Sequence, residues 1–100
     1  MIAIINQIFE IDQKLQAKAE PLADRNLSRI YHELELLGYQ IINPINRRYR
    51  PTDTDVEANL IGELTQESQI SRVLKPIIYK INAGGNTELL QKGIVIVEGI

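Results

Sequence analysis

Apolar residues recur at helical spacing through the first third of the chain and at strand spacing through the last third. Ile4, Ile8, Ile11 and Leu15 are separated by four, three and four positions, and Ala23, Leu27, Ile30, Leu34 and Leu37 by four, three, four and three. That is the a/d pattern of helices packing along a seam. The two sets do not share a register, and Pro21 lies between them. Proline inside a helix removes a hydrogen bond and clashes with the preceding turn, at about 3 kcal/mol, but is tolerated in a first turn. The spacing therefore predicts one helix over residues 2–19 and a second over 21–37, with Gly38 as its left-handed cap. A single kinked helix is the alternative.

Beyond Gly38 the period shortens. Residues 39–43 form a brief extended run closed by Pro44, and residues 46–51 are polar and turn-like. Residues 56–64 alternate imperfectly, as a strand does, with Gly62 as a candidate bulge. Residues 70–81 read as a strand in which Pro76 marks an edge or bulge. Ala83-Gly84-Gly85-Asn86 supplies the positive-φ residues of a tight hairpin, and residues 89–97 form the last strand. The fold class is α+β: two N-terminal helices followed by a small antiparallel β-domain. The organisation is a helical region over 1–38 and a wing-like β-domain over 39–100.

Helices this short are not stable alone, so their seams need a partner. Helix one also carries Ile2, Ile5 and Phe9 outside its seam, a broad apolar face that favours a homodimer. The expected dimerisation residues are Ile4, Ile8, Ile11, Leu15, Leu27, Ile30 and Leu34.

Composition narrows the function. With 100 residues, one domain is expected. A formal charge of −2 argues against a dedicated nucleic-acid binder. The absence of cysteine removes disulfides, thiolate catalysis and sulfur-ligated metals. No apolar run reaches the roughly 20 residues of a membrane span. The opening residues lack the basic segment and cleavage site of a secretory signal. A cytoplasmic protein is the expectation.

Candidate chemistry is sparse. Asp53, Asp55 and Glu57 alternate, and on a strand would share a face, but no histidine or calcium-loop glycine accompanies them. Arg47, Arg48 and Arg50, around Tyr49, are expected to ion-pair with these acids, which would screen the patch from nucleic acid. His32 is the one histidine and reads as a helix-surface or interface side chain. Ser28, Ser68 and Ser71 lack the context of a nucleophile. Gly84-Gly85 precedes no helix, so it is no phosphate cradle. The expectation is a protein without enzymatic activity, cofactor or metal that works by docking.

From the second helix onward the order of motifs resembles the C-terminal part of GrpE, the nucleotide exchange factor of DnaK-type chaperones. Leu37-Gly38-Tyr39 ends the helix, Ile42-Asn43-Pro44 follows, and Tyr49-Arg50-Pro51 stands where that family has a Phe-Asp-Pro-like motif. Glu57-Ala58 matches an acidic-Ala pair, and Val73-Leu74 with Tyr79 matches the penultimate strand. The segment from Leu90 through Gln91, Lys92, Gly93, Ile94, Val95 and Ile96 to Val97 overlays the family's closing Leu-Arg-x-Ala-x-Val-x-Val strand. Gln91 replaces the arginine, Gly93 replaces a small alanine, and the helical part before the turn is short for the family. The resemblance implies a homodimeric co-chaperone whose β-wing binds the nucleotide-binding domain of a DnaK-type chaperone and promotes ADP release. It places Tyr79 and Val95 near the contact on a hairpin around Pro76, with Lys75, Asn86 and Gln91 at the rim. The alternative is an unrelated dimeric interaction or regulatory module docking a partner through the same hairpin.

Overall fold

Two helices and six short strands make up the computed structural model, which describes residues 1–99. Helix α1 spans Ile2–Ala17 and α2 spans Asp24–Leu36, with a 3-10 turn over Pro21–Ala23 between them. The strands are β1 (Tyr39–Ile42), β2 (Val56–Ile61), β3 (Ile70–Lys75), β4 (Ile77–Ile81), β5 (Thr87–Gln91) and β6 (Gly93–Glu98). The α+β class expected from the periodicity is present. At 19 Å in its shortest dimension, the molecule has room for about two layers, since packed sheets lie about 10 Å apart.

Two separate helices form, not one kinked helix. Helix α1 stops two residues before the expected end. Ala19 takes a left-handed φ of 52°, Glu20 N–H donates to Leu15 O at 3.0 Å and Ala19 N–H to Gln16 O at 3.0 Å. This is a Schellman closure, after which Pro21 opens the next turn, where its missing N–H costs least. Helix α2 ends as the sequence suggests, with Gly38 at φ 92°.

The β half departs from expectation in three ways. It is not wholly antiparallel: β1-β4-β5 forms an antiparallel sheet, but in β2-β6-β3 the strand β2 runs parallel to β6. The run over 70–81 is not one strand, nor is 89–97. Each breaks once, at Pro76 and at Lys92, so a two-stranded ribbon leaves one sheet and enters the other. Pro76 is therefore no bulge within a strand; it marks the crossing, where its lack of N–H cannot interrupt a ladder. Gly93 lies at the same crossing, and a Cβ there would meet Ile77 Cγ1 at 3.0 Å and Val56 Cγ1 at 3.4 Å. Finally, Gly62 terminates β2 instead of bulging it.

Two clusters hold the layers together. Along β4 the side chains alternate between them: Ile77 and Tyr79 join Val56, Ile70, Val73, Val95, Val97 and Phe9, whereas Ile78 joins Ile5 and Leu34. The β1-β4-β5 sheet thus has the helices on one face and the second sheet's core on the other. The centre of the helix-one seam does not face the chain's own core. Ile5 and Phe9, outside the predicted a/d stripe, are the residues buried in α1, while Ile4 and Ile11 are 58% and 51% exposed. In α2, Leu27 and Leu34 are buried but Ile30 is exposed. Helical periodicity reveals an apolar arc; it does not say which part of that arc meets the chain's own sheet.

Candidate protein-docking surface

The hairpin β4–β5 is the segment the sequence singles out, and its turn is built locally. Asn82 Oδ1 accepts from the N–H groups of Gly84 and Asn86, both at 3.1 Å, a side-chain mimic of a backbone turn. Of the four turn residues expected to offer positive φ, only Gly85 does so, at 79°. Asn86 lies exposed at this tip.

The register then determines what the hairpin presents. Tyr79 stands opposite Leu89 and Ile81 opposite Thr87, so Tyr79, Ile81, Leu89 and Thr87 share one face. Near the crossing this face is core; towards the tip it emerges into solvent. Tyr79 is half-buried, and Ile81 and Leu89 are 46% and 36% exposed. The result is an apolar stripe running out from the core along a hairpin.

Both helices brace the hairpin. Asn6 on α1 and Gln91 on β5 exchange two amide hydrogen bonds of 2.9 Å, and Gln91 Nε2 also donates to Pro76 O at 2.9 Å. Lys80 Nζ donates to Leu37 O at 2.7 Å and lies 4.0 Å from the centroid of the Tyr39 ring. A cation at the carbonyl end of α2 complements the helix dipole. Ile81 N–H donates to Gly38 O at 2.8 Å. Between the helices, Tyr31 Oη donates to Asp12 Oδ2 at 3.2 Å. Burial, then the Asp12 charge and this hydrogen bond, raise the Tyr31 pKa far above the usual phenol value.

The residues expected at the contact divide accordingly. Lys75 and Asn86 are exposed and Tyr79 is half-buried. Val95 has no exposed surface, and Pro76 is among the fully buried side chains, so both are corrected to core residues: a side chain without surface makes no direct contact. Gln91 is half-buried and engaged by Asn6 and Pro76, which makes it a brace. Ile81 and Leu89 escaped the sequence reading. The strand alternation from Tyr79 to Ile81 was a signal for the first; Leu89 needed the register across the turn.

The arginine–acid segment resolves differently from a shared carboxylate face. Asp53 and Asp55 precede β2, and only Glu57 lies on it. Arg47 pairs with Asp55 through two hydrogen bonds of 3.0 and 2.8 Å and approaches Asp53 at 3.8 Å. The expected ion pairing is thus concentrated on Arg47. The side-chain hydrogen bond from Arg47 lowers the Asp55 pKa, and that with Asp55 raises the Arg47 pKa. A carboxyl held below its unfolded pKa adds stability above that value, about pH 4, and loses it as pH falls through the folded pKa. Asp55→Asn is therefore expected to weaken the protein at pH 7 by about 1 kcal/mol, a partly exposed charged pair being worth no more. The variant's stability is expected to fall less than the parent's as pH drops below about 4. Denaturation midpoints across that range check this, and parallel acid limbs would contradict it.

His32 is exposed on α2. Among the described residues, no group of three or more His, Cys, Asp or Glu could hold a metal ion, and no helix is long and apolar enough to cross a membrane. No protein-family model, curated protein or solved structure matches this chain.

Proposed function

We propose that this protein is a GrpE-like co-chaperone, a cytoplasmic homodimer that binds the nucleotide-binding domain of a DnaK-type chaperone through its β-wing and promotes ADP release. The observation that carries this reading is the braced hairpin: an emergent apolar stripe of Tyr79, Ile81 and Leu89, tied to α1 by Asn6–Gln91 and to α2 by Lys80 and Gly38. The motif order of residues 34–97 supports the same assignment.

The mechanism requires no catalytic residue. An exchange factor shifts its partner from a closed to an open state only by binding the open state more tightly. Stiffness matters because a hairpin that yielded would conform to either state. An aromatic and aliphatic stripe with the exposed Thr87 and Asn86 at its outer end is the composition expected of a desolvated anchor with a polar rim.

The dimer in this proposal uses the apolar arc that α1 leaves uncovered. Ile4 and Ile11 supply its exposed centre, with the half-buried Ile8 and Leu15 beside it. The first test is the release of a fluorescent ADP from a DnaK-type chaperone, expected to accelerate saturably on adding this protein. Ile4→Asp with Ile11→Asp is expected to halve the solution mass while each chain keeps its fold, because neither side chain packs into the chain's own core. Neither acceleration nor binding at saturating concentration would overturn the co-chaperone reading, and an unchanged mass would overturn the helix-mediated dimer.

A further inference from the structure

Four strand edges bound the two sheets, and three of them are protected. Strand β3 is interrupted by two register shifts; α1 packs along it, and Gln13 Nε2 donates to Val73 O at 2.9 Å. Strand β5 carries an irregularity between its pairings with Ile78 and Tyr79. Strand β1 has four residues, and α2 packs against it. Bulges, short length and cover are the usual defences of an edge.

Among the described residues, strand β2 has none of these. Its six residues pair with β6 in unbroken parallel register and include no proline, lysine or arginine. Gly93 N–H donates to Asp55 O at 2.9 Å, and Gly99 N–H to Ile61 O at 2.7 Å. These bonds bracket the ladder. In a parallel pair alternate residues direct their backbone groups at the neighbour, so Glu57, Asn59 and Ile61 face β6. Val56, Ala58 and Leu60 direct N–H and C=O away from it, at the open edge. The chain leaves β2 without folding across this edge: after Gly62 it turns so that the Glu63 backbone packs on Gly99, beyond the end of β6.

The side chains flanking the edge differ by face. Val56, Ala58 and Leu60 stand opposite Gly93, Val95 and Val97 on the core side. Val56 is buried, Ala58 is half-buried, and Leu60 is 51% exposed. On the outer side, Lys75 and Glu57 flank Ile94, and Arg72 and Asn59 flank Ile96. Glu98, opposite Ile61, adds a second carboxylate near the β2 edge. Neither Glu57 nor Glu98 is paired with a cation among the described residues. The outer face is thus polarised, basic along β3 and acidic towards β2.

We propose that β2 is a strand-addition site for an extended segment of another protein that alternates apolar and basic side chains. The segment's backbone satisfies the outward groups of Val56, Ala58 and Leu60. Its apolar residues cover Leu60 and continue the core layer, and its basic residues lie beside Glu57. A second copy of this chain suits the edge less well. Antiparallel self-pairing centred on Ala58 keeps the apolar residues inward, but sets two Glu57 residues of like charge diagonally on one face, their backbones roughly 7–8 Å apart. This site is separate from the hairpin stripe and does not depend on the co-chaperone reading.

The test is amide hydrogen exchange on the full chain with a synthetic peptide alternating valine and lysine over the length of β2. A valine–glutamate peptide of the same length is the control. The lysine peptide is expected to slow exchange at Ala58 and Leu60 about tenfold at ten times its Kd. It is expected to bind about fivefold more tightly than the glutamate peptide, and Glu57→Lys should reverse that order. Ala58→Pro removes one outward N–H without touching the β6 ladder, a substitution edges tolerate, and should abolish protection while the thermal transition persists. Three results would overturn the proposal: no protection at millimolar peptide, equal affinity for both peptides, or protection that rises with protein concentration alone, which would make the occupant a second copy.

Discussion

Replacing Ile78 by alanine is expected to destabilise the protein by about 2–5 kcal/mol, the range for truncating a buried isoleucine. That is a large part of the roughly 5–15 kcal/mol by which a typical domain is stable. Ile78 has no exposed surface, and it packs with Ile5 of α1 and Leu34 of α2, so both helices lean on this side chain from the β half. The cavity would open at the joint between helices and sheet, where little else can move in. Denaturant midpoints read the effect directly, with Ile78→Val, expected at about 0.5–1.5 kcal/mol, as the graded control. A loss below about 1 kcal/mol for alanine would mean the helices contribute little to folding. Because Ile78 lies on the opposite face of β4 from Tyr79 and Ile81, the variant should keep its docking stripe while losing the brace. Partner binding should then weaken less than stability.

The second large effect is expected at Gly38. Its φ of 92° lies where side chains are strained, and a Cβ there would meet Ile81 O at 2.8 Å. The same residue's carbonyl accepts from Ile81 N–H at 2.8 Å. Gly38→Ala therefore strains the backbone and pushes apart the hydrogen bond joining the end of α2 to β4. Together these are expected to cost about 2–3 kcal/mol, lowering the melting temperature by about 4–8 °C per kcal/mol. Exchange at the Ile81 amide should speed up beyond the global change, because its acceptor has moved. Should alanine be tolerated with unchanged Ile81 exchange, the proposed coupling between helix and hairpin would be absent.

How far the chain could be read before folding depends on the range of the forces involved. Gly38 as a helix stop, the boundary at Pro21, the strand start at Tyr39 and the turn near Gly85 were all legible, because each reflects local φ/ψ preference. The break at Pro76 showed as an anomaly, but its meaning did not. Whether a proline in a strand marks an edge, a bulge or a crossing depends on what the neighbouring strand does, and that strand lies beyond the turn. The parallel partnership of β2 with β6 was not legible, since alternation is the same in either direction.

The contact residues show the same limit. Val95 and Tyr79 both occupy strand positions with suitable side chains; the fold buries the first completely and leaves the second half-buried. Gln91 looked like a rim residue because it is polar, yet its amide meets that of Asn6, 85 positions away. Ile4 and Ile5 are adjacent, equally apolar and on the same arc of α1, and only packing against Ile78 decides which is covered. Legible before folding were the α+β class, the stop of the second helix at Gly38, the positive φ at Gly85 and the absence of cysteine, all of which follow from single residues and their near neighbours. The tertiary structure decided the two-sheet crossing, the open β2 edge and which apolar residues reach solvent. Those depend on which distant segment covers each side chain, and hydrophobic burial, being non-directional, leaves that choice to the assembled fold.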